Sequence, residues 1–246
     1  MTAKEFYRRF IAVHKCGGCG EILPWQRSDE AFCEKCQLDW NRDTVVGCKE
    51  CFLPVRECGC MPDALKKAGA LTLRKLFFYR EDATYSATMG MIYWIKHRKS
   101  KRMTRYVCDR IFTAVAEELS ALGIESPDEV FITYVPRGKA SYRLHGFDQS
   151  RLVADRLSEL TGYESIRAFY SVFGKKQQKS LDSRGRMRNA KQTIRINKGL
   201  DIKGRYAVLF DDIVTSGASM AVCTDCLMKA GVKGVICVSL ASKPKK

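Results

Sequence analysis

No stretch of this 246-residue sequence approaches the roughly 20 apolar residues that span a bilayer, so no membrane insertion is expected. The start lacks an apolar segment too. Met1-Thr2-Ala3-Lys4-Glu5-Phe6 runs straight into Arg8 and Arg9, which is not the pattern of a secretory signal, and a cytoplasmic protein is the resulting expectation. Acidic residues are few beside basic ones, 27 against 43, for a formal net charge of +16. That imbalance favours a polyanionic partner, either nucleic acid or phosphorylated small molecules, with a merely solvated basic surface as the alternative. The surplus is uneven. Residues 1–60 carry nine charges of each sign; the excess lies in His97-Arg98-Lys99-Ser100-Lys101-Arg102 and in residues 175–195. Internal repeats and low-complexity linkers are also missing. With 10% aromatics, the chain has material for one α/β domain and a smaller module.

Eight of the twelve cysteines fall in the first quarter of the chain. Without an export signal, close-spaced cysteine pairs point to metal rather than disulfides. Cys16-x-x-Cys19 and Cys33-x-x-Cys36 suit one tetrahedral zinc, and Cys48-x-x-Cys51 with Cys58-x-Cys60 suits a second. Four thiolates close the coordination sphere, so such zinc would be structural. Interleaved pairing, a redox pair and iron–sulfur ligation stay open. Residues 1–61, poor in periodicity, read as a metal-organised module too small to hold a core, with a boundary at Met61-Pro62 before residues 62–246.

Periodicity starts at Ala64. Helices are predicted over residues 85–96, along the face Val107, Ile111, Phe112, Val115 and Leu119, over 147–160 and over 218–230; buried strands over 130–135, 205–210 and 235–240. Apolar strands alternating with helices predict an α/β fold with a parallel sheet flanked by helices. Cys108, Cys223, Cys226 and Cys237 read as small buried hydrophobes.

The most informative stretch is Val208-Leu209-Phe210-Asp211-Asp212-Ile213-Val214-Thr215-Ser216-Gly217-Ala218-Ser219. An apolar strand runs into two carboxylates, then a small-residue loop feeds a helix. Ligands bind beyond the carboxyl ends of such strands. Two carboxylates there can accept from a vicinal diol, and a glycine-bearing helix start suits a phosphate; an ordinary helix cap is the plain alternative. The stretch resembles the phosphoribosyl diphosphate (PRPP) signature of type I phosphoribosyltransferases. That resemblance implies that Asp211 and Asp212 hold the ribose hydroxyls, that Thr215, Ser216, Gly217, Ala218 and Ser219 hold the 5′-phosphate, and that Mg²⁺ accompanies PRPP.

Upstream, Val135-Pro136-Arg137-Gly138-Lys139 ends a strand in a turn with two cations, either a diphosphate cradle or an ordinary basic turn. Arg143-Leu144-His145-Gly146-Phe147-Asp148-Gln149 and the run from Gln178 to Asn189 are similar to segments of the ComF family, with Asp148 where that family has Asn, and the cysteine-rich start fits the same pattern. The 170–190 stretch, loosened by Gly174 and Gly185, corresponds in phosphoribosyltransferases to a loop closing over the ribose; Arg184 and Arg188 would then stabilise departing diphosphate. A surface loop that is simply basic is the alternative. ComF proteins are associated with natural transformation, which implies single-stranded DNA and other DNA-uptake proteins as partners. Basic residues near 96–105 and 175–195, with Tyr93, Trp94 and Tyr106, suit strand binding unless the aromatics are core. PRPP is then a substrate, for an acceptor that no sequence feature names, or a regulatory ligand.

Overall fold

The computed structural model describes residue 2 and residues 14–79, 86–138, 142–143, 146–172 and 182–244. Its centre is a five-stranded, all-parallel sheet in the order β1-β7-β6-β2-β3. The strands are β1 (Ala70–Phe78), β2 (Val130–Tyr134), β3 (Glu164–Ser165), β6 (Tyr206–Val214) and β7 (Gly234–Ser242). Strands β4 (Phe169–Ser171) and β5 (Ile194–Ile196) form a separate antiparallel pair. The α/β expectation holds. β2 and β7 are buried along their whole length, because both sheet faces are covered, as continuous apolar strand runs require.

The helices are α1 (Glu34–Asp43), α2 (Asp63–Lys67), α3 (Ala87–His97), α4 (Lys101–Ala121), α5 (Gln149–Thr161), α6 (Ser183–Thr193) and α7 (Ala218–Lys229). Successive residues of β6 serve different cores. Val208 and Phe210 pack with side chains of α3, α4 and α5, whereas Ala207 and Leu209 pack with α2 and α7. Each fully buried residue of Phe210's size contributes roughly 1.5–3 kcal/mol. Local signals set the helix ends. Ser86 and Ser100 accept from the amides of Met89 and Met103, and α5 runs from the Asp148 cap to Gly162 at φ 76°.

Four expectations are corrected. β6 does not stop at Phe210 but continues through both acids to Val214, because β7 pairs with it as far as Ser242. Phe112 is 39% exposed: it lies about 100° round α4 from Ile111, off the buried face. Residues 1–60 are not without periodic structure or core. α1 presents Cys36 and Trp40 inward, and Trp40 meets Phe32, Phe77 and Tyr106 at ring-centroid distances of 5.4, 5.5 and 5.3 Å. Gly185 does not loosen its stretch; it lies buried in the first turn of α6, its amide donating to Asp182 Oδ1 at 2.7 Å.

β1 has no counterpart in the sequence reading, because Arg74 and Lys75 interrupt its apolar pattern. Both are nonetheless buried and paired. Arg74 bonds Glu117 at 2.5 Å, Glu118 at 3.2 Å and the Glu57 carbonyl at 3.1 Å. Lys75 Nζ donates to the carbonyls of Cys58 and Cys60 at 3.0 and 2.7 Å. Buried cations are tolerated only with such partners. No helix among the described residues is long and apolar enough to cross a membrane.

Candidate functional site

β2 ends at Tyr134, opposite Phe210, so β6 projects past its neighbour by the length that carries Asp211 and Asp212. Strand alternation sends the two carboxylates to opposite faces. Asp212, buried, accepts from Gln149 Nε2 at 2.8 Å, with Lys96 Nζ at 3.3 Å. Asp211 lies in register with Ser239 on the other face, and its Oδ1 accepts from the Asp212 amide at 2.9 Å. Burial, then the charge of Asp212, pushes the Asp211 carboxyl well above the usual carboxylate range.

The loop after β6 ends in Gly217 at φ 72°, where an L side chain would be strained, and this glycine caps α7. It has no side chain to occupy the first-turn amides, the arrangement that leaves a helix start suited to phosphate. Thr215 Oγ1 accepts from Arg186 Nη1 at 2.9 Å. Arg186 sits on α6 between Arg184 and Arg188, which are both exposed. The expected pair and the arginine that reaches the loop thus lie on different faces of one helix, a distinction that spacing alone could have raised only once the helix was recognised.

The segment from Gly146 to Gln149 ties the turn after β2 to the acids. Asp148 Oδ1 accepts from the amide of Ser150 and its Oδ2 from the amide of Arg137 at 3.1 Å. Arg137 Nη1 donates to the Phe147 carbonyl at 3.0 Å, and burial lowers the Arg137 pKa. One residue further, Gln149 reaches Asp212. Asp148 itself is pushed up by burial despite these amide donors. Gly138 is exposed with open space around it. Lys139, His145 and residues 173–181, including Gln178, lie outside the described residues.

Three polar atoms around the acids are buried without partners among the described residues: Gln149 Oε1, Arg186 Nε and Ser239 Oγ. Gln149 is oriented by its bond to a carboxylate, which must take the amide nitrogen, so its oxygen faces elsewhere as an acceptor. Unpaired buried polar groups are uncommon, and of these three residues Gln149 bonds Asp212, Ser239 is in register with Asp211 and Arg186 bonds Thr215. Lys96, Gln149 and Arg186 are the residues that sequence reasoning missed here.

The cysteines group as two sets in chain order rather than interleaved. Cys16, Cys19, Cys33 and Cys36 bring their ligand atoms within 4.8 Å of one another, as do Cys48, Cys51, Cys58 and Cys60. All twelve cysteines are free thiols. Amides point at the sulfurs: Cys33 N lies 3.2 Å from Cys16 Sγ, and Cys60 N lies 3.3 Å from Cys58 Sγ. Burial opposes ionisation of Cys16 and Cys48, but amide donors outweigh it and bring each to about 7, whereas burial pushes Cys19 up to about 11 and raises Cys36, Cys58 and Cys60. Donors that favour thiolate and four sulfurs per set fit a structural metal such as zinc. Cys108, Cys223 and Cys237 are buried in the cores on the two sides of the sheet as expected, whereas Cys226, one turn along α7 from Cys223, is only partly buried. Of the three aromatics named for strand binding, Tyr93 is 49% exposed, Trp94 packs partly on the core, and Tyr106 is held by Phe32, Trp40 and Gln37.

No family model matches the chain. The DNA utilization protein YhgH of Escherichia coli strain K12 is 23% identical over 227 residues, covering 92% of this chain and 90% of that protein. The chain is similar to a DNA utilization protein. The Shigella flexneri YhgH is 22% identical over the same length, and that of Salmonella typhimurium 25% identical over 146 residues, 59% of this chain and 63% of that one. Among solved structures, a purine phosphoribosyltransferase from Pyrococcus horikoshii Ot3 superimposes with a TM-score of 0.35 at 23% identity, over 55% of this chain and 72% of its own. A phosphoribosylpyrophosphate synthetase from Mycobacterium smegmatis gives 0.33 at 14% identity, over 58% and 47%.

Proposed function

We propose that the chain is a ComF-like protein that binds Mg-PRPP at Asp211, Asp212 and the 215–219 loop, and that it acts in the handling of single-stranded DNA. The observation that supports this best is the pair of carboxylates on the projecting end of β6, followed by a glycine-capped helix, with unpaired buried polar atoms on Gln149, which bonds Asp212, and on Ser239, in register with Asp211. In this reading Lys96 and Gln149 hold Asp212 in place to accept from a ribose hydroxyl. The first-turn amides of α7 and Thr215, steadied by Arg186, take the 5′-phosphate. Mg²⁺ would neutralise the diphosphate beside the 137–139 turn. Residues 1–61 serve as a zinc-organised scaffold and residues 62–246 carry the ligand site. The similarity to the DNA utilization protein supports the DNA-related role, and the net charge of +16 suits a polyanion.

Calorimetry of Mg-PRPP with wild type and with Asp211→Asn/Asp212→Asn tests the binding. Wild type is expected to bind and the double variant to lose at least tenfold in affinity; equal affinity in both removes the reading. The alternative is a phosphoribosyltransferase that turns PRPP over, with the exposed Arg184 and Arg188 of α6 stabilising the departing diphosphate. Diphosphate release in the presence of purine, pyrimidine and other candidate acceptors separates turnover from binding alone. Strand binding is tested by titrating oligo(dT) against salt, where a steep loss of affinity with ionic strength is expected.

A further inference from the structure

The second cysteine set and the phosphate loop are separated in sequence by more than 150 residues, yet two side chains join them. Past Cys60 the chain passes through Met61 and Pro62 into α2. Pro62 and Leu65 close directly on Gly217: a Cβ there would lie 3.2 Å from Pro62 Cβ and 3.4 Å from Leu65 Cγ. Leu65 is fully buried, and Met61, Leu65, Ala218, Ala221 and Val222 share one cluster, so α2 is a wedge under the start of α7. The left-handed residue that shapes the loop is therefore backed by a residue two positions from a metal ligand.

A second path runs through the sheet. Lys75 Nζ holds the carbonyls of Cys58 and Cys60 and lies 3.3 Å from Cys58 Sγ. Lys75 is in register with Ser239, and Ser239 with Asp211. Gly59, between the two ligands, has room for no side chain, since a Cβ would come within 2.9 Å of Thr72 Oγ1 on β1. The end of the metal loop is thus clamped against the strand that neighbours the acid's own sheet partner.

We infer that Pro62 and Leu65 are positioning residues for the phosphate loop, and that metal in the Cys48/Cys51/Cys58/Cys60 set holds them there. The inference rests on the reading that this loop binds PRPP. Four metal–sulfur bonds restrain the chain on both sides of Gly59. Without them, Cys58 and Cys60 keep only hydrogen bonds, from Lys75 to their carbonyls, from the Cys58 amide to the Pro54 carbonyl and from the Leu73 amide to the Gly59 carbonyl, and the wedge under Gly217 loses its firmest anchor. Coupling of this kind is reciprocal: metal strengthens PRPP binding, and PRPP strengthens metal binding by the same free energy, which is expected to show as slower metal loss.

The test uses the full chain loaded with zinc, wild type and the variants Pro62→Gly and Leu65→Ala, which keep all eight cysteines of the two sets. Metal content and circular dichroism establish that both variants are loaded and folded. Mg-PRPP is then titrated by calorimetry, and zinc release to a chelating dye is timed with and without Mg-PRPP. The release phase that is lost in Cys51→Ser reports the second set. The expected result is an affinity for Mg-PRPP about tenfold weaker in both variants, with zinc release from the second set slowed by Mg-PRPP in wild type but not in them. Wild-type binding with unchanged affinity in the variants and unslowed zinc release overturns the coupling alone. Absence of Mg-PRPP binding in wild type overturns the ligand reading and the coupling together.

Discussion

Asp212 and Asp211 are neighbours in sequence with opposite circumstances: one is held by Lys96 and Gln149, the other is desolvated beside a like charge. The folded state keeps a proton on Asp211 more readily than the unfolded chain does. The stability linked to this group is therefore fully present below the ordinary carboxylate range, about pH 4, and is lost as pH rises through the raised folded pKa. Asp211→Asn should melt higher than wild type at pH 7–8, with a smaller gain at pH 4, in thermal scans without ligand. Each kcal/mol relieved moves the midpoint by roughly 2–4 °C for a chain of this length. A wild type that gains stability above pH 5 relative to the variant would contradict this. A second residue-scale case is Phe52, 84% exposed yet at φ 60° between Cys51 and Leu53. Phe52→Gly removes the left-handed penalty of about 1–2 kcal/mol and gives back part of it through unfolded-state entropy, for a net gain of about 0.5–1 kcal/mol in a denaturant melt.

At the scale of elements, the strands and helices that follow from local pattern were legible and those that depend on distant partners were not. The runs at 130–135 and 205–210 are apolar enough to announce buried strands, and Gly162 announces the end of α5. β1 is different. Its Arg74 and Lys75 read as surface, and only Glu117, Glu118 and the carbonyls of residues 57, 58 and 60 make them interior. Arg74→Ala should therefore cost about 1.5–3 kcal/mol in equilibrium unfolding, well above the effect expected of an exposed strand position, because it leaves Glu118 and a carbonyl without their donor. A cost under 0.5 kcal/mol would show that the buried network contributes nothing net. The extension of β6 to Val214 was hidden for a similar reason: two acids end an apolar pattern but not a hydrogen-bonded ladder.

For the whole molecule, the first cysteine set is not appended to the sheet but shares one of its cores. Cys16, Phe32, Cys36 and Trp40 pack with Phe77, Met103 and Val107, and Gly90 of α3 has the backbone of Gly17 and Gly18 where a Cβ would be, within 2.4 Å. Zinc removal by a strong chelator should therefore lower the melting of the whole chain, α3, α4 and β1 included, rather than of residues 1–61 alone. A loss of several kcal/mol corresponds to a fall of roughly 10 °C or more. Far-UV circular dichroism of the chelated protein checks this; an unchanged main transition would show that the sheet stands without the metal.

The sequence by itself determined the chemistry on offer: eight thiols at ligand spacing, a basic excess, two carboxylates and a glycine-bearing loop at the end of an apolar strand. Those properties are local, since spacing and residue type suffice to express them. The two cysteine sets that spacing suggested are the ones the fold brings together, but which arginine meets Thr215, what holds Asp212 and what backs Gly217 were decided by the tertiary structure alone. Each depends on contacts between residues tens to more than a hundred positions apart. The two acids show the difference most directly: they look equivalent in the chain, and the fold gives one a lysine and a glutamine and the other a desolvated place beside its neighbour's charge.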